Sequence, residues 1–248
     1  MFAEERRKTI LAMLTRDGRV EVAELATRFN VSEDTVRRDL RELAATGFLQ
    51  KTHGGAVALD VPNLAWEARA QVLPAAKAKI GAAAAALVEP GQTIILDAGS
   101  TVLEVARHLT ARPIRVITNS LDIANLLDGQ AGVTLVLTGG EWDPVNRYLG
   151  SEQAVQTIGD YRADWVFLGA CALHPQAGMT SLQASNAALK RAMLRSALKA
   201  VLVADHSKFD QVTAHFVAPL SALHAVVTDV AVDWLREAGV QVIVPKEK

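Results

Sequence analysis

The sequence predicts an α/β chain in two parts, a winged helix-turn-helix over residues 1–57 and a mostly parallel α/β domain over 74–248, joined by a linker at 58–73. Three observations predict it. Two short amphipathic helices meet in a tight turn at Asn30-Val31. From Pro74 onward, short and strongly apolar runs alternate with helical periods. Several of those runs end in Gly, Ser, Thr, Asn or Asp. At 248 residues the length suits one small and one well-cored domain.

The first helix is expected over residues 4–17, with Ile10, Leu11 and Leu14 inward, Arg6, Arg7 and Lys8 outward, and Asp17-Gly18 as its stop. Arg19-Val20 is placed to pair with a later strand. Val22, Leu25, Ala26 and Phe29 share one face of a second helix, and a third begins at the N-cap Ser32. Glu33 and Asp34 suit the positive end of its dipole; Val36, Leu40 and Leu43 form its apolar stripe; Gly47 is placed to end it. Turning about 100° per residue from the stripe puts Asp34, Thr35, Arg38, Arg41 and Glu42 on the far side and Arg37 on the flank. An arginine-rich helix face is either solvated or a reader of base edges. The tight turn before it favours the reader, because a helix-turn-helix sends the N-terminal end of its second helix into the major groove, where Arg makes bidentate contacts. Residues 48–57 then read as two short strands about a polar turn, a wing. The candidate DNA contacts are Ser32, Thr35, Arg37, Arg38, Arg41, Lys51 and His53.

The ordered run VSEDTVRRDLRELAATGFLQKTHGGAV, residues 31–57, resembles the helix-turn-helix signature of the DeoR family of bacterial transcription regulators, through Arg37-Arg38-Asp39-Leu40 and the Lys51 to Gly55 wing. The resemblance implies a double-stranded DNA operator as partner.

Charge alone does not announce such a partner. Residues 1–57 carry ten Lys or Arg against nine Asp or Glu, and the rest 16 against 18, for a net charge of −1. Affinity for DNA then rests on local placement of the basic residues and on dimerisation rather than on a general positive field. No apolar run approaches the roughly 18 residues of a membrane span. The charged start MFAEERRKT lacks the apolar core of a signal peptide, so a cytoplasmic protein without a membrane partner is expected. Cys171 is the only cysteine, which excludes an intrachain disulfide and a cysteine zinc site. Its small, apolar neighbours predict a buried structural thiol. Neither a metal nor a cofactor is expected.

In the linker, Pro62 and Pro74 punctuate a stretch where Trp66, Glu67 and Arg69 suggest a docked segment. Helices are then expected at 75–88, 101–109, 121–127, 152–158 and 186–198. Strands are expected at 93–97, 114–118, 133–138, 165–168, 201–204, 225–228 and 240–244. Strands apolar throughout are buried on both faces, hence a mostly parallel sheet with helices on each side.

Ligands of such sheets bind beyond the carboxyl ends of the strands. Here those ends carry Asp97-Ala98-Gly99-Ser100-Thr101, Thr118-Asn119-Ser120, Thr138-Gly139-Gly140 and Asp205-His206-Ser207-Lys208. A turn such as 97–101 offers free amides and hydroxyls at a helix start, suited to a phosphate or other anion, although many such turns merely cap a helix. Arg147, Lys190 and Lys208 are the cations available to complete the site. Asp97 and Asp205 either accept hydrogen bonds from sugar hydroxyls or cap the turns that follow. The candidate effector residues are Asp97, Gly99, Ser100, Thr101, Asn119, Ser120, Gly139, Gly140, Arg147, Lys190, Asp205 and Lys208.

The segments DAGST (97–101), TNS (118–120), TGG (138–140), the Gly150 turn, FLGA (167–170), KRAM (190–193) and ADHSKF (204–209) extend the resemblance to the DeoR-type effector domain. That domain is Rossmann-like and related in fold to ribose-5-phosphate isomerase, glucosamine-6-phosphate deaminase and CoA transferases. The resemblance implies binding of a phosphorylated sugar or related metabolite. There is one departure: four residues before Lys190, where the family commonly has Glu-Ala, stands Asn186-Ala187, and Gln183 replaces an earlier acidic residue. Exchanging acceptors for groups that also donate changes what the pocket binds and removes an obvious general base.

The function these readings favour is a sequence-specific DNA-binding regulator, a repressor rather than an enzyme. Its operator affinity is set by a phosphorylated sugar, and it works as a homo-oligomer, dimer or tetramer, that spaces two recognition helices. The alternatives are a sugar-phosphate isomerase-like enzyme with an appended DNA-binding domain, and a DNA-binding protein whose second domain only oligomerises.

Overall fold

A computed structural model of the chain describes residues 2–45, 49–58, 60 and 63–246. The expected helix stop at Gly47, the wing's Phe48 and the linker's Pro62 lie outside these. The chain divides into two units, Met1–Asp60 and Val61–Lys248.

The first unit contains α1 (Ala3–Asp17), β1 (Arg19–Glu21), α2 (Val22–Phe29), α3 (Glu33–Ala45), β2 (Leu49–Lys51) and β3 (Gly55–Ala58). Gly18 ends α1 in the left-handed conformation, φ 72°, with its N–H on the Leu14 carbonyl at 2.9 Å. The three strands form an antiparallel sheet in the order β1-β3-β2, which makes the wing. Gly55 permits the pairing of β1 with β3, because a Cβ there would lie 2.0 Å from the Val20 carbonyl oxygen. Ile10, Leu14, Val20, Leu25, Val36, Leu40, Leu43 and Leu49 fill the core. Arg6 corrects its expected outward position: it is buried and donates from Nε to the buried Asp39 at 2.5 Å, tying α1 to α3. Arg7 stays at the surface and pairs with Glu42.

The second unit opens with α4 (Trp66–Gln71), a helix inside what composition reads as linker. Then come α5 (Pro74–Ala85), β4 (Thr93–Leu96), α6 (Ser100–His108), β5 (Ile114–Thr118), α7 (Leu121–Leu127) and β6 (Val133–Leu137). A hairpin of β7 (Glu141–Asp143) and β8 (Tyr148–Gly150) leads to α8 (Glu152–Gly159) and β9 (Ala163–Gly169). β10 (Ala172–His174), β11 (Gly178–Ser181), α9 (Ala184–Arg195), β12 (Ala197–Val203), β13 (His215–Ala218), β14 (Ala225–Val227), α10 (Asp233–Glu237) and β15 (Gln241–Ile243) complete it.

Seven strands form a parallel sheet in the order β15-β14-β12-β9-β4-β5-β6. Alternate residues feed two cores. Ile95, Val166, Leu168 and Leu202 pack against Ile158 of α8 and Leu189 and Met193 of α9. Ile94, Leu96, Phe167 and Val201 pack against Ile80 of α5 and Val102 and Val105 of α6. α9 starts two residues earlier and stops three residues earlier than its periodicity suggests; the Ser196 N–H caps it on the Ala192 and Met193 carbonyls, and β12 begins at once. β10, β11 and β13 form a small antiparallel sheet of their own. The carboxyl ends of β4, β9 and β12 lie side by side in mid-sheet, which brings the loops after Leu96, Gly169 and Val203 to one place.

Candidate functional site

In the first unit, Ser32 caps α3, its Oγ accepting the Thr35 N–H at 3.2 Å and lying 2.9 Å from the Thr35 hydroxyl. Asp34, Arg37 and Arg41 of α3 line a groove whose far wall is Lys51, Thr52, His53 and Gly55 of the wing. Glu33 holds the Arg37 guanidinium at 2.6 Å, and Arg41 Nε donates to the Arg37 carbonyl at 3.2 Å. Arg38 points away from the buried stripe, exposed and outside the groove. A helix crest and a basic groove beside it suit contact with base edges and phosphates at once.

In the second unit a cleft opens at the carboxyl ends of the central strands. Gly99, Ser100 and Thr101 line it with the first turn of α6, whose leading amides have no partner within the helix. Lys190 reaches in from α9. Its Nζ donates to Asp97 Oδ2 and, at 2.8 Å, to the Gly169 carbonyl, while the Gly169 N–H also bonds Asp97 Oδ2 at 3.2 Å.

Lys208 lines the cleft at 7% exposure, and among the described residues no hydrogen bond from its Nζ is found. Burial pushes its ammonium pKa down to about 8 against the attraction of Asp205, and Arg69 and Lys77 add to the lowering. Asp205 accepts from the N–H of Ser207 at 3.1 Å and from its hydroxyl, fixing the turn that carries Lys208. Arg69 of α4 also lines the cleft, its Nη1 donating to Asn146 Oδ1 at 3.1 Å; burial pushes its pKa down too. Tyr148, whose hydroxyl meets Gln183 Oε1 at 2.7 Å and Ser185 Oγ at 2.9 Å, adds a neutral polar wall with Asn186. Burial raises the Tyr148 pKa, so the hydroxyl stays protonated.

The model of the DeoR-like helix-turn-helix domain matches residues 6–61, and that of the DeoR C terminal sensor domain matches residues 73–230. The chain belongs to the DeoR family. Among DeoR-family relatives it is 31% identical to the HTH-type transcriptional repressor GlcR of Bacillus subtilis, covering 100% of this chain and 98% of that one. It is 30% identical to the glycerol-3-phosphate regulon repressor of Escherichia coli, covering 92% of each. Among solved structures, ribose 5-phosphate isomerase A of Methanocaldococcus jannaschii is similar at 20% identity and a TM-score of 0.39, over 54% of this chain and 53% of that one. This DeoR-family chain is thus a DNA-binding transcription regulator with a C-terminal sensor domain, and none of its described helices is long and apolar enough to cross a membrane.

Of the expected effector residues, Gly99, Ser100, Thr101, Lys190 and Lys208 line the cleft; the others stand elsewhere. Asp97 and Asp205 are fully buried behind it, holding Lys190 and the Lys208 turn rather than facing a ligand. Asn119 is buried and accepts the Ala98 N–H at 2.9 Å, and Ser120 caps α7 by accepting the Ile123 N–H at 3.3 Å. Gly139 and Gly140, at φ 70° and 108°, serve the turn into β7, and a Cβ on Gly140 would meet Ser151 Oγ at 2.6 Å. Arg147 is engaged away from the cleft, with Asp122 at 2.9 Å through Nε and over the rings of Trp66 and Trp142. Arg69, Asn146 and Tyr148, absent from the expected set, line the cleft. Cys171, expected buried, is half-buried and lines the cleft, its Sγ 3.8 Å from Ser181 Oγ. No spacing in the sequence pointed to Arg69. Its nearest signal was the unexplained Trp66-Glu67-Arg69 cluster.

Proposed function

We propose that this DeoR-family regulator is a repressor that grips an operator through paired winged helices and lets go when a phosphorylated sugar or related metabolite enters the sensor cleft. The observation that carries this is Lys208: an ammonium held almost out of water, without a hydrogen-bond acceptor among the described residues, beside the open amides of α6. A buried cation in that state is costly until an anion arrives. Charge supports a phosphomonoester. Among the described residues lining the cleft, Arg69, Lys190 and Lys208 carry positive charges and none carries a negative one. A phosphomonoester above its second pKa of about 6 carries nearly two negative ones.

The cleft's chemistry favours a regulator over an isomerase. Among the described residues lining it there is no carboxylate, and Asn186 spends its side-chain oxygen on the Ser181 hydroxyl at 2.9 Å. A proton-transfer enzyme acting on a sugar needs a base within reach of the substrate. Gln183, Asn186, Tyr148 and Asn146 instead offer neutral groups that hold hydroxyls without moving protons. A homo-oligomer in the cytoplasm completes the reading, since two half-sites need two recognition helices.

The test is a thermal-shift screen of purified full-length protein against phosphorylated and unphosphorylated sugars, each hit then added to an operator-binding assay. A phosphosugar at about 100 times its dissociation constant adds roughly 2.7 kcal/mol of stability and releases the DNA. Specific operator binding that no phosphosugar alters would reject the effector part of the reading. Turnover of a phosphosugar would restore the enzyme.

A further inference from the structure

One wall of the cleft is fastened differently from the rest. α4 has no fully buried residue among its six, and its one contact with the core is the half-buried Trp66. It is clipped to the turn between β7 and β8: the Trp66 N–H donates to the Val145 carbonyl at 3.0 Å, and Arg69 Nη1 to Asn146 Oδ1 at 3.1 Å. Arg147, 5.2 Å over the Trp66 ring, also lies 3.9 Å from Glu67. At the other end the carbonyls of Arg69 and Val72 both accept from Lys77 Nζ, which is 3.9 Å from Asp205, the residue that shapes the Lys208 turn. A helix held by polar and aromatic clips, with a single half-buried side chain on the core, belongs to the part of a fold that opens at low cost.

We propose that Arg69 is a ligand-binding residue of the cleft, taking the effector's anionic group together with Lys208, and that docking of α4 is what reports occupancy to the chain segment leading from the DNA-binding unit. Arg69 lines the cleft with a guanidinium whose hydrogen-bond partner is a neutral amide, so most of its five donors remain for an oxyanion. Lys208 approaches from the opposite part of the sequence, lines the same cleft, and has its proton affinity lowered in part by the Arg69 guanidinium. An anion between them turns that repulsion into two charge-assisted contacts, and it does so only while α4 is docked. Such a ligand has the differential affinity a switch needs. α4 is also the first described helix after Asp60, where the DNA-binding unit ends. The inference rests on the phosphosugar reading only for the identity of the anion.

The test uses the full-length protein, its Arg69→Gln, Arg69→Lys and Lys208→Met variants, and as probes inorganic phosphate and a panel of pentose and hexose phosphates. Affinity is read by calorimetry and α4 docking by hydrogen exchange of the amides of residues 67–72. The expected result is a loss of about tenfold or more in affinity for phosphate-bearing probes in Arg69→Gln, partial rescue by Arg69→Lys, and slower exchange across α4 when wild type is loaded. Wild-type affinity in Arg69→Gln, with binding lost in Lys208→Met, removes Arg69 from the site and leaves the phosphosugar reading standing. Failure of wild type to bind any probe, phosphate included, overturns both. Weakened binding in Arg69→Gln with α4 exchange unchanged by ligand rejects the relay.

Discussion

The two units place their working cations oppositely. In the winged helix, Arg37, Arg38, Arg41 and Lys51 are exposed. In the sensor unit, Lys77, Lys190 and Lys208 are 3%, 3% and 7% exposed. An exposed cation keeps its water until a partner arrives, so removing it changes binding and leaves the fold alone. A buried cation has already lost its water, and its removal is felt by whatever neutralised it. Function and stability are therefore separable in the first unit and entangled in the second.

The strongest way to break that contrast is Lys190→Met, which strands Asp97 at zero exposure without its ammonium. A loss of about 3–5 kcal/mol in urea unfolding is expected. Arg6→Met supplies the control inside the winged helix, because it strands the buried Asp39. A loss of similar size there, in a unit whose other cations are exposed, shows that burial and not domain identity sets the cost.

Lys208→Met sharpens the contrast by reversing the sign. This lysine has no hydrogen-bond acceptor of its own among the described residues, so an apolar chain in its place should raise stability by about 1–3 kcal/mol while abolishing phosphate binding. Its pKa is lowered in the folded state, from 10.5 to about 8, so between those values the unfolded chain binds more protons. Wild-type stability relative to the variant therefore rises with pH across that window, and the penalty is fully present below pH 8. Phosphate affinity should run the other way and decline as pH climbs through about 8. An affinity flat from pH 7 to 9 would mean that Lys208 does not meet the anion.

Periodicity carried the sheet because parallel strands buried on both faces leave an apolar run, as at Thr93–Leu96 and at 201–203 of β12, whereas the half-exposed start of β12 ahead of Lys199 reads as the end of the helix before it. β7, β8, β10, β11 and β13 are three or four residues each, too short to show a period. The candidate cleft was half legible. Gly99, Ser100, Thr101, Lys190 and Lys208 sit at strand ends or one helical reach from them, and topology alone gathers them. Arg69 and Tyr148 reach the cleft from elements with no strand-end address, a helix in the linker and a hairpin. The two glycines after Thr138 read as a ligand turn; both have a positive φ, and neither lines the cleft.

Arg38→Ala is expected to cost about 1–3 kcal/mol in operator affinity if its fork meets a base edge, with stability changed by less than about 0.5 kcal/mol. Competition between specific and random DNA, measured alongside thermal unfolding, checks both. A stability loss equal to the affinity loss would erase the distinction between the units.

The smallest effect tests the distinction most finely. Glu33 and Arg37 form an exposed pair one helical turn apart at 2.6 Å, with side chains 49% and 52% exposed, and such a pair supports a helix by only about 0.3–0.5 kcal/mol. Glu33→Gln removes that support and also a negative charge from the face turned to DNA. If Arg37 is a phosphate contact held back by Glu33, the variant should be slightly less stable yet bind DNA more tightly. Its plot of log affinity against log salt concentration should steepen by about one unit as one more phosphate is neutralised. An unchanged salt slope assigns Arg37 to the helix surface and leaves the groove's electrostatics to Arg41 and Lys51.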